Sequence, residues 1–180
     1  MASSVGHTLT GVVIYHLVRR CRPTSQSGWK ALWPFVLLPN LPDIDFLISY
    51  LLYADHNILH GNFTHSLGFA LLISIFVVPF RLFASATHTF LVSFALVGSH
   101  LLLDMTSGQL FTGGKGFGTM LFYPFSEQKI QFPLAIFWGP KRRTMEELFS
   151  IENILGVVWE LLIFTPIISF LRRHPSKPLP

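Results

Sequence analysis

Three stretches of this chain are apolar over nearly the thickness of a bilayer: Ser66 to Phe83, His88 to Met105, and Asn153 to Leu171. A helix needs roughly 17–25 mainly apolar residues to cross the hydrocarbon layer. A chain of 180 residues with three such stretches has few folds open to it. Inside lipid every backbone N–H and C=O must be satisfied by the protein itself, so the stretches are expected to be helices. Two shorter apolar stretches precede them, Val5 to Val18 and Ala31 to Leu41, the second with Pro34 and Pro39 inside. Both are short for independent spans and are expected to tilt or span partially, held against the other three. The expected fold is all-α: a small integral membrane bundle of about five apolar helices, three full spans and two short.

Composition agrees. Hydrophobic residues make up 51% and charged residues 12%, about half the charged fraction of a soluble domain. The net charge of +4 is small and its basic residues sit in short clusters beside apolar runs. The expected partner is therefore the lipid bilayer and not nucleic acid. A single cysteine, Cys21, rules out an internal disulfide and any Cys-rich zinc module, so a bound metal needs His and carboxylate ligands. Arg19, Arg20 and Arg22 follow the first apolar stretch instead of preceding it, the reverse of a secretory signal.

Polar connections of uneven length separate the apolar stretches. Residues 19–30 form a basic turn, and residues 42–64 a longer connection with an interfacial helix from Phe46 to Tyr53. A tight turn covers 84–87, and a long Gly- and Pro-rich loop covers 106–150, before the last helix. One domain is expected over residues 1–174, with a disordered tail at 175–180. Within the long loop, 108–118 is no phosphate-binding P-loop, because Gly116 follows Lys115 where Ser or Thr is required. That segment reads equally as a flap beside a site or as a plain connector. Lys141, Arg142 and Arg143 suit contact with lipid headgroups.

The clearest chemical signal is His100 with Asp104. Spacing of four puts an imidazole and a carboxylate on one helix face, a pair suited to a small borderline cation. His60 and His65 open the 66–83 stretch in His-Gly-Asn-Phe-Thr-His-Ser, and His7 opens the first stretch. Asp43 and Asp45 follow the second in Leu-Pro-Asp-Ile-Asp; a Pro-Asp turn accounts for the former and leaves the latter unexplained beside Phe46 and Leu47. If 66–83 and 88–105 form a hairpin, His65 comes beside His100 and Asp104. Alternate crossing then brings His7, Asp43, Asp45 and His60 to the same end. His88 and His174 fall at the other end, His16 on the opposite helix face, and His56 at most on the rim. Imidazoles and carboxylates gathered in this way repel one another and lose hydration, a cost that bound cations relieve.

These motifs, taken in order, resemble the YdjM-like family of inner-membrane metal-dependent hydrolases. The matching stretches are His7, Leu41–Asp45, His60–Ser66, His100–Asp104 and Tyr123–Ser126. That family is in turn distantly similar to the zinc-dependent phospholipase C and P1 nuclease superfamily. The resemblance implies one or two divalent ions, zinc by preference, and hydrolysis of a phosphoester or lipid-type substrate by metal-activated water. It implies that His65, His100, Asp104 and one of Asp43 and Asp45 hold a first ion, with Asp104 bridging to a second ion also held by His7. The expected metal ligands are thus His7, Asp45, His60, His65, His100 and Asp104. The catalytic candidates are Asp43 and Asp45, with Asp43 favoured as general base. Where the family commonly carries Arg, this chain has Gly61, which removes a bidentate clamp for phosphate.

Glu160, inside the last span, is a further candidate; an intramembrane carboxyl either serves function or is protonated and bonded to a neighbouring helix. Basic residues set the orientation. Eight (Arg19, Arg20, Arg22, Lys30, Arg81, Arg172, Arg173, Lys177) sit at the end away from the cluster without an acid, and five sit at the cluster end among eight acids. The positive-inside rule then turns the cluster to the extracytoplasmic face of the inner (plasma) membrane, where a phospholipid or other membrane-associated phosphoester is the expected substrate. A non-catalytic protein using the same metal site structurally or for a partner is the alternative. A metal transporter is the third, disfavoured because transport sites lie near the bilayer midplane. Oligomeric state is left open.

Overall fold

The computed structural model describes residues 2–21, 29–53, 58–108, 118–141, 147 and 149–173. The 175–180 tail, residues 109–117 of the loop read as flap or connector, His56, His174, Arg142 and Arg143 lie outside them. The chain folds as a small all-α bundle. Helix α1 covers Ser4–Cys21 and α2 covers Trp29–Asn40. A single 3-10 turn, Leu41–Asp43, links α2 to α3 at Ile44–Tyr53. Helix α4 covers Leu67–Val77, α5 covers Ala86–Met105, and α6 covers Ile151–Arg173.

Three helical stretches are long and apolar enough to cross a membrane, Ala31–Tyr53, Ala86–Met105 and Ile151–Arg173, and Leu67–Phe80 is a shorter apolar one. The second and third match expected spans; the first does not. The stretch expected to be short and the interfacial helix expected after it are one continuous run, while 66–83 yields the shorter helix. Proline placement explains both. Pro42 sits in the 3-10 turn Leu41–Asp43, and a turn of that kind tightens the helix without reversing the chain, so α2 continues into α3. After α4, Val78–Phe80 forms a 3-10 turn containing Pro79, and Arg81 takes the left-handed conformation at φ 46°, which ends the helix.

Serine side chains start the central hairpin. Ser66 accepts from the Phe69 N–H and Ser85 from the His88 N–H, each at 3.1 Å, satisfying N–H groups that the first helical turn leaves open. Helices α4 and α5 pack side by side, and α1 lies against α2, α5 and α6. Helices α1 and α2 approach so closely that a Cβ at Gly11 would run into the Phe35 carbonyl oxygen. Such an approach is typical of apolar helices that meet through small residues. Tyr15, Phe35, Leu38, Phe69, Leu96 and Val97 form the core between these helices.

The described part of the long loop is held by backbone pairing. Ser107–Gly108 (β1) and Phe137–Trp138 (β2) pair in parallel, in the register Ser107 with Phe137 and Gly108 with Trp138. The Ile136 N–H donates to the Thr106 carbonyl at 2.7 Å. Phe137 also packs with Ala2, Leu103 and Phe164, so residues 118–141 are pinned over the C-terminal end of α5. The starts of α1 and α4 and the ends of α2 and α5 therefore meet at one level. Helix α3 and the first turns of α6 continue past that level.

Candidate metal centre

The hairpin brings the imidazole of His65, on a 3-10 turn ahead of α4, to that of His100 on α5: their Nε2 atoms lie 3.1 Å apart. Asp104, one turn beyond His100, places Oδ2 at 3.3 Å from His100 Nε2 and 3.5 Å from His65 Nε2. Asp43 Oδ1 approaches the same two nitrogens, at 3.6 Å from His65 and 3.7 Å from His100. All but Asp43 are fully buried, and Asp43 is 19% exposed. Donors bound tetrahedrally at zinc distances lie roughly 3.3–3.4 Å apart, so His65, His100 and Asp104 frame a space of the right size for one ion, with Asp43 beside the two imidazoles.

A second group extends the cluster toward α1. The His7 ring stacks on that of His100, with centroids 3.7 Å apart and planes 13° apart. His7 Nε2 lies 3.4 Å from Asp104 Oδ1, the oxygen that also accepts from the Ala2 N–H at 2.9 Å. His7, Asp43 and His100 have donor atoms mutually close enough to hold an ion, as do Asp43, His60 and His65, and likewise His65, His100 and Asp104. Both His7 nitrogens, Asp43 Oδ1 and Asp104 Oδ2 are buried without a hydrogen-bond partner. Buried polar atoms are ordinarily paired, and a cation bound among His7, Asp43, His100 and Asp104 would give unpaired atoms here the partner they lack. The chain is thus a membrane protein with a buried His/Asp cluster able to hold metal.

The surroundings fix which nitrogen of each ring faces inward. His100 Nδ1 donates to the Pro39 carbonyl at 2.7 Å. The 3-10 partner of that carbonyl would be the backbone nitrogen of Pro42, which has no hydrogen to give. His60 Nδ1 donates to Asp45 Oδ1 at 2.6 Å, and His65 Nδ1 faces Asp45 Oδ2 at 3.2 Å. Asp45 also accepts from the Thr64 hydroxyl and, at 3.2 Å, from the Gly61 N–H. One carboxylate thus holds the segment 60–65 in place and directs two Nε2 atoms inward, as outer carboxylates do for metal-binding histidines. Gly61 sits at φ 83°, a left-handed conformation in which Arg would be strained.

Six of the seven polar residues expected to cluster have a donor atom in one of the three groups: His7, Asp43, His60, His65, His100 and Asp104. Asp45 lies behind two of the histidines and belongs to none of the groups. Glu160 is buried elsewhere, at the start of α1, where it accepts from the Ser3 N–H at 2.8 Å and from the Ser3 hydroxyl. A Cβ on Gly6 would come within 2.7 Å of Glu160 Oε1, so a larger residue there would displace the carboxyl. Sequence reasoning missed the Pro39 carbonyl; the Pro-x-x-Pro spacing of 39 and 42 was its available signal. It also missed Thr64 as a bonding partner, although Thr64 stands in the motif between His60 and Ser66.

Burial alone would lower the pKa of His65, which lies on the turn between helices. Hydrogen bonds to Asp43 and Asp45 and the charge of Asp104 outweigh it and carry the pKa up to about 9. A metal taking His65 Nε2 must therefore expel a proton. The apparent affinity should fall about tenfold for each pH unit below 9. Zinc titrations against a chromophoric chelator at pH 7 and pH 8 check this, and equal affinities at the two pH values would contradict it.

A cleft of about 300 Å³ opens onto the cluster, lined by Ser3, Asp43, Phe46, Asn153 and Val157 among others. Asp43 is thus the ligand candidate that also meets the cleft. The model of the YdjM inner membrane protein family matches residues 1–173. No curated protein and no solved structure matches the chain, so the more distant likeness to the phospholipase C and P1 nuclease superfamily has no match behind it.

Proposed function

Because the chain belongs to the YdjM inner membrane protein family, we propose that it is a membrane-bound metal-dependent hydrolase acting on a phosphoester of lipid type. The observation that carries this is the geometry around Asp43. His65, His100 and Asp104 offer three buried ligands, the number that hydrolytic zinc sites use when water takes the fourth position. Asp43 Oδ1 lies beside that position, 3.6–3.7 Å from the two imidazoles, and Asp43 lines the cleft. A divalent ion held there, zinc by its donor set, supplies Lewis acidity and a water made acidic enough to react near neutral pH.

The chain's own residues do the rest. Asp43 takes the proton from water entering by the cleft. Asp45 orients His60 and His65, and Pro39 orients His100. His7 with the second oxygen of Asp104 provides for a second ion. The surplus of basic residues at the far end turns the cluster to the extracytoplasmic side. Protease digestion of a tag appended after Pro180, in sealed inverted vesicles but not in intact spheroplasts, is the expected result of that orientation.

One observation favours a second reading. With Asp43 as the fourth ligand the tetrahedron closes without water, as in structural zinc sites. Transport is disfavoured: among the described residues the fully buried side chains between the cluster and the basic end are apolar, apart from Ser74, Thr89, Ser93 and Ser99. The test is detergent-purified protein assayed with bis(p-nitrophenyl) phosphate and with a labelled phospholipid, before and after chelation. Turnover abolished by chelator and restored by zinc is expected. Stoichiometric metal with no turnover of either compound would leave the structural site standing in its place.

A further inference from the structure

Rise along the helices sets the depth of the cluster. At ~1.5 Å per residue, α6 runs on the order of 33 Å from Ile151 to Arg173, about the thickness of the hydrocarbon layer. Glu160 lies roughly 14 Å from the first end of α6 and 20 Å from the second. Its bond to Ser3 ties that level to the start of α1, one turn from His7. On the other flank, Tyr53 lies about 15 Å along the helical run beyond Asp43. Two apolar helices therefore rise about two to three turns past the metal ligands, on the side away from Arg19, Arg20, Arg172 and Arg173.

Those projecting parts are not packed as a protein core. Leu47, Leu51 and Leu52 on α3 are 55%, 71% and 66% exposed, and Ile151 and Ile154 on α6 are 63% and 53% exposed. At the same end, Phe125 is 95% exposed and Phe149 79%. Large apolar side chains exposed all round a cleft suit hydrocarbon and are costly in water. The walls of the cleft, Phe46 on α3 and Val157 on α6, are continuous with this surface. The cleft joins the lipid-facing exterior to Asp43.

We propose that the cluster lies below the membrane surface and that a membrane phospholipid enters sideways, through the cleft between α3 and α6, to bring its phosphoester to Asp43. This rests on the hydrolase assignment above and adds the depth of the site and the route by which its lipid substrate arrives. The phosphoester bond is cleaved by water, which supplies the hydroxyl to phosphorus and a proton to the leaving oxygen. The acyl chains stay along α3 and α6, in lipid.

The experiment has two arms. In the first, the protein in nanodiscs without added metal is photolysed with a phospholipid bearing a diazirine near the headgroup end of one acyl chain. Adducts at Phe46 and Val157 are expected, and adducts confined to residues away from the cleft would overturn the proposal. In the second, the zinc-loaded protein and a Val157→Trp variant hydrolyse a long-chain phospholipid in the nanodisc and bis(p-nitrophenyl) phosphate in solution. The variant, checked for retained metal, should lower the ratio of lipid to soluble turnover at least tenfold. An unchanged ratio, or hydrolysis of the soluble compound alone by the unaltered protein, would refute lateral entry and leave the hydrolase intact. Adducts at the cleft with neither compound hydrolysed would support lipid entry and remove the hydrolase assignment instead.

Discussion

Replacing His100 and Asp104 together by alanine leaves the purified protein with less than about a tenth of the metal bound by the unaltered chain. The loss should be far larger than the 10–100-fold in affinity that a supporting residue costs, because two of the donors go at once. His100 Nε2 takes part in two of the three donor groups, and Asp104 presents one oxygen to each side of the cluster. Removing both leaves His65 and Asp43 as the remaining pair of the first position, and His7 without its carboxylate. Elemental analysis in detergent, with chain concentration from amino-acid analysis, gives the ratio directly. Asp104 also accepts from the Ala2 N–H, so the double variant could lose its fold along with its ligands. His100→Gln alone, which keeps most of the bulk beside His7 and leaves Asp104 in place, guards against that. Helical circular dichroism and a monodisperse elution profile with metal lost would assign the effect to ligation. Full metal retention in the double variant would show that no ion depends on His100 or Asp104, and would leave Asp43, His60 and His65, the group these substitutions spare, as the holder.

Much of this was legible in the chain, for physical reasons that differ from residue to residue. The facing of His100 and Asp104 follows from a spacing of four on a helix, and that of His65 follows from the hairpin, because a short turn leaves adjacent helices little choice. The difference between Asp43 and Asp45 was not legible. Residues two apart on a helix point to nearly opposite sides, so one of the pair must face the ions and the other must face away. Which one does so depends on how the 3-10 turn at Leu41–Asp43 phases α3 against α2. The continuity of α2 and α3 was hidden for a related reason. Prolines at 39 and 42 read as breakers in isolation, yet inside a packed bundle the Pro39 carbonyl finds His100. The local rule against proline in a helix gives way where a ligand's orientation is gained.

Asp43→Asn should lower turnover of the phosphoester by about 10²–10⁴-fold, the range that a general base contributes, while the protein keeps its metal. The amide has nearly the shape of the carboxylate and lacks the basicity to take a proton from water. Its neighbours His65, His100 and Asp104 still supply three ligands, all buried and each oriented by a different element of the fold. Should the tetrahedron instead be closed by Asp43, the same substitution exchanges an anionic ligand for a weak neutral one. Metal affinity would then fall, and any turnover would fall only in proportion to occupancy. The two outcomes separate when turnover is measured at saturating zinc: a base cannot be replaced by more metal, whereas a lost ligand can be compensated by it. Recovery of turnover in excess zinc would therefore move Asp43 from proton acceptor to ligand. That would leave water without a position on the first ion, and the open coordination that hydrolysis requires would have to be sought at His7 and the far oxygen of Asp104.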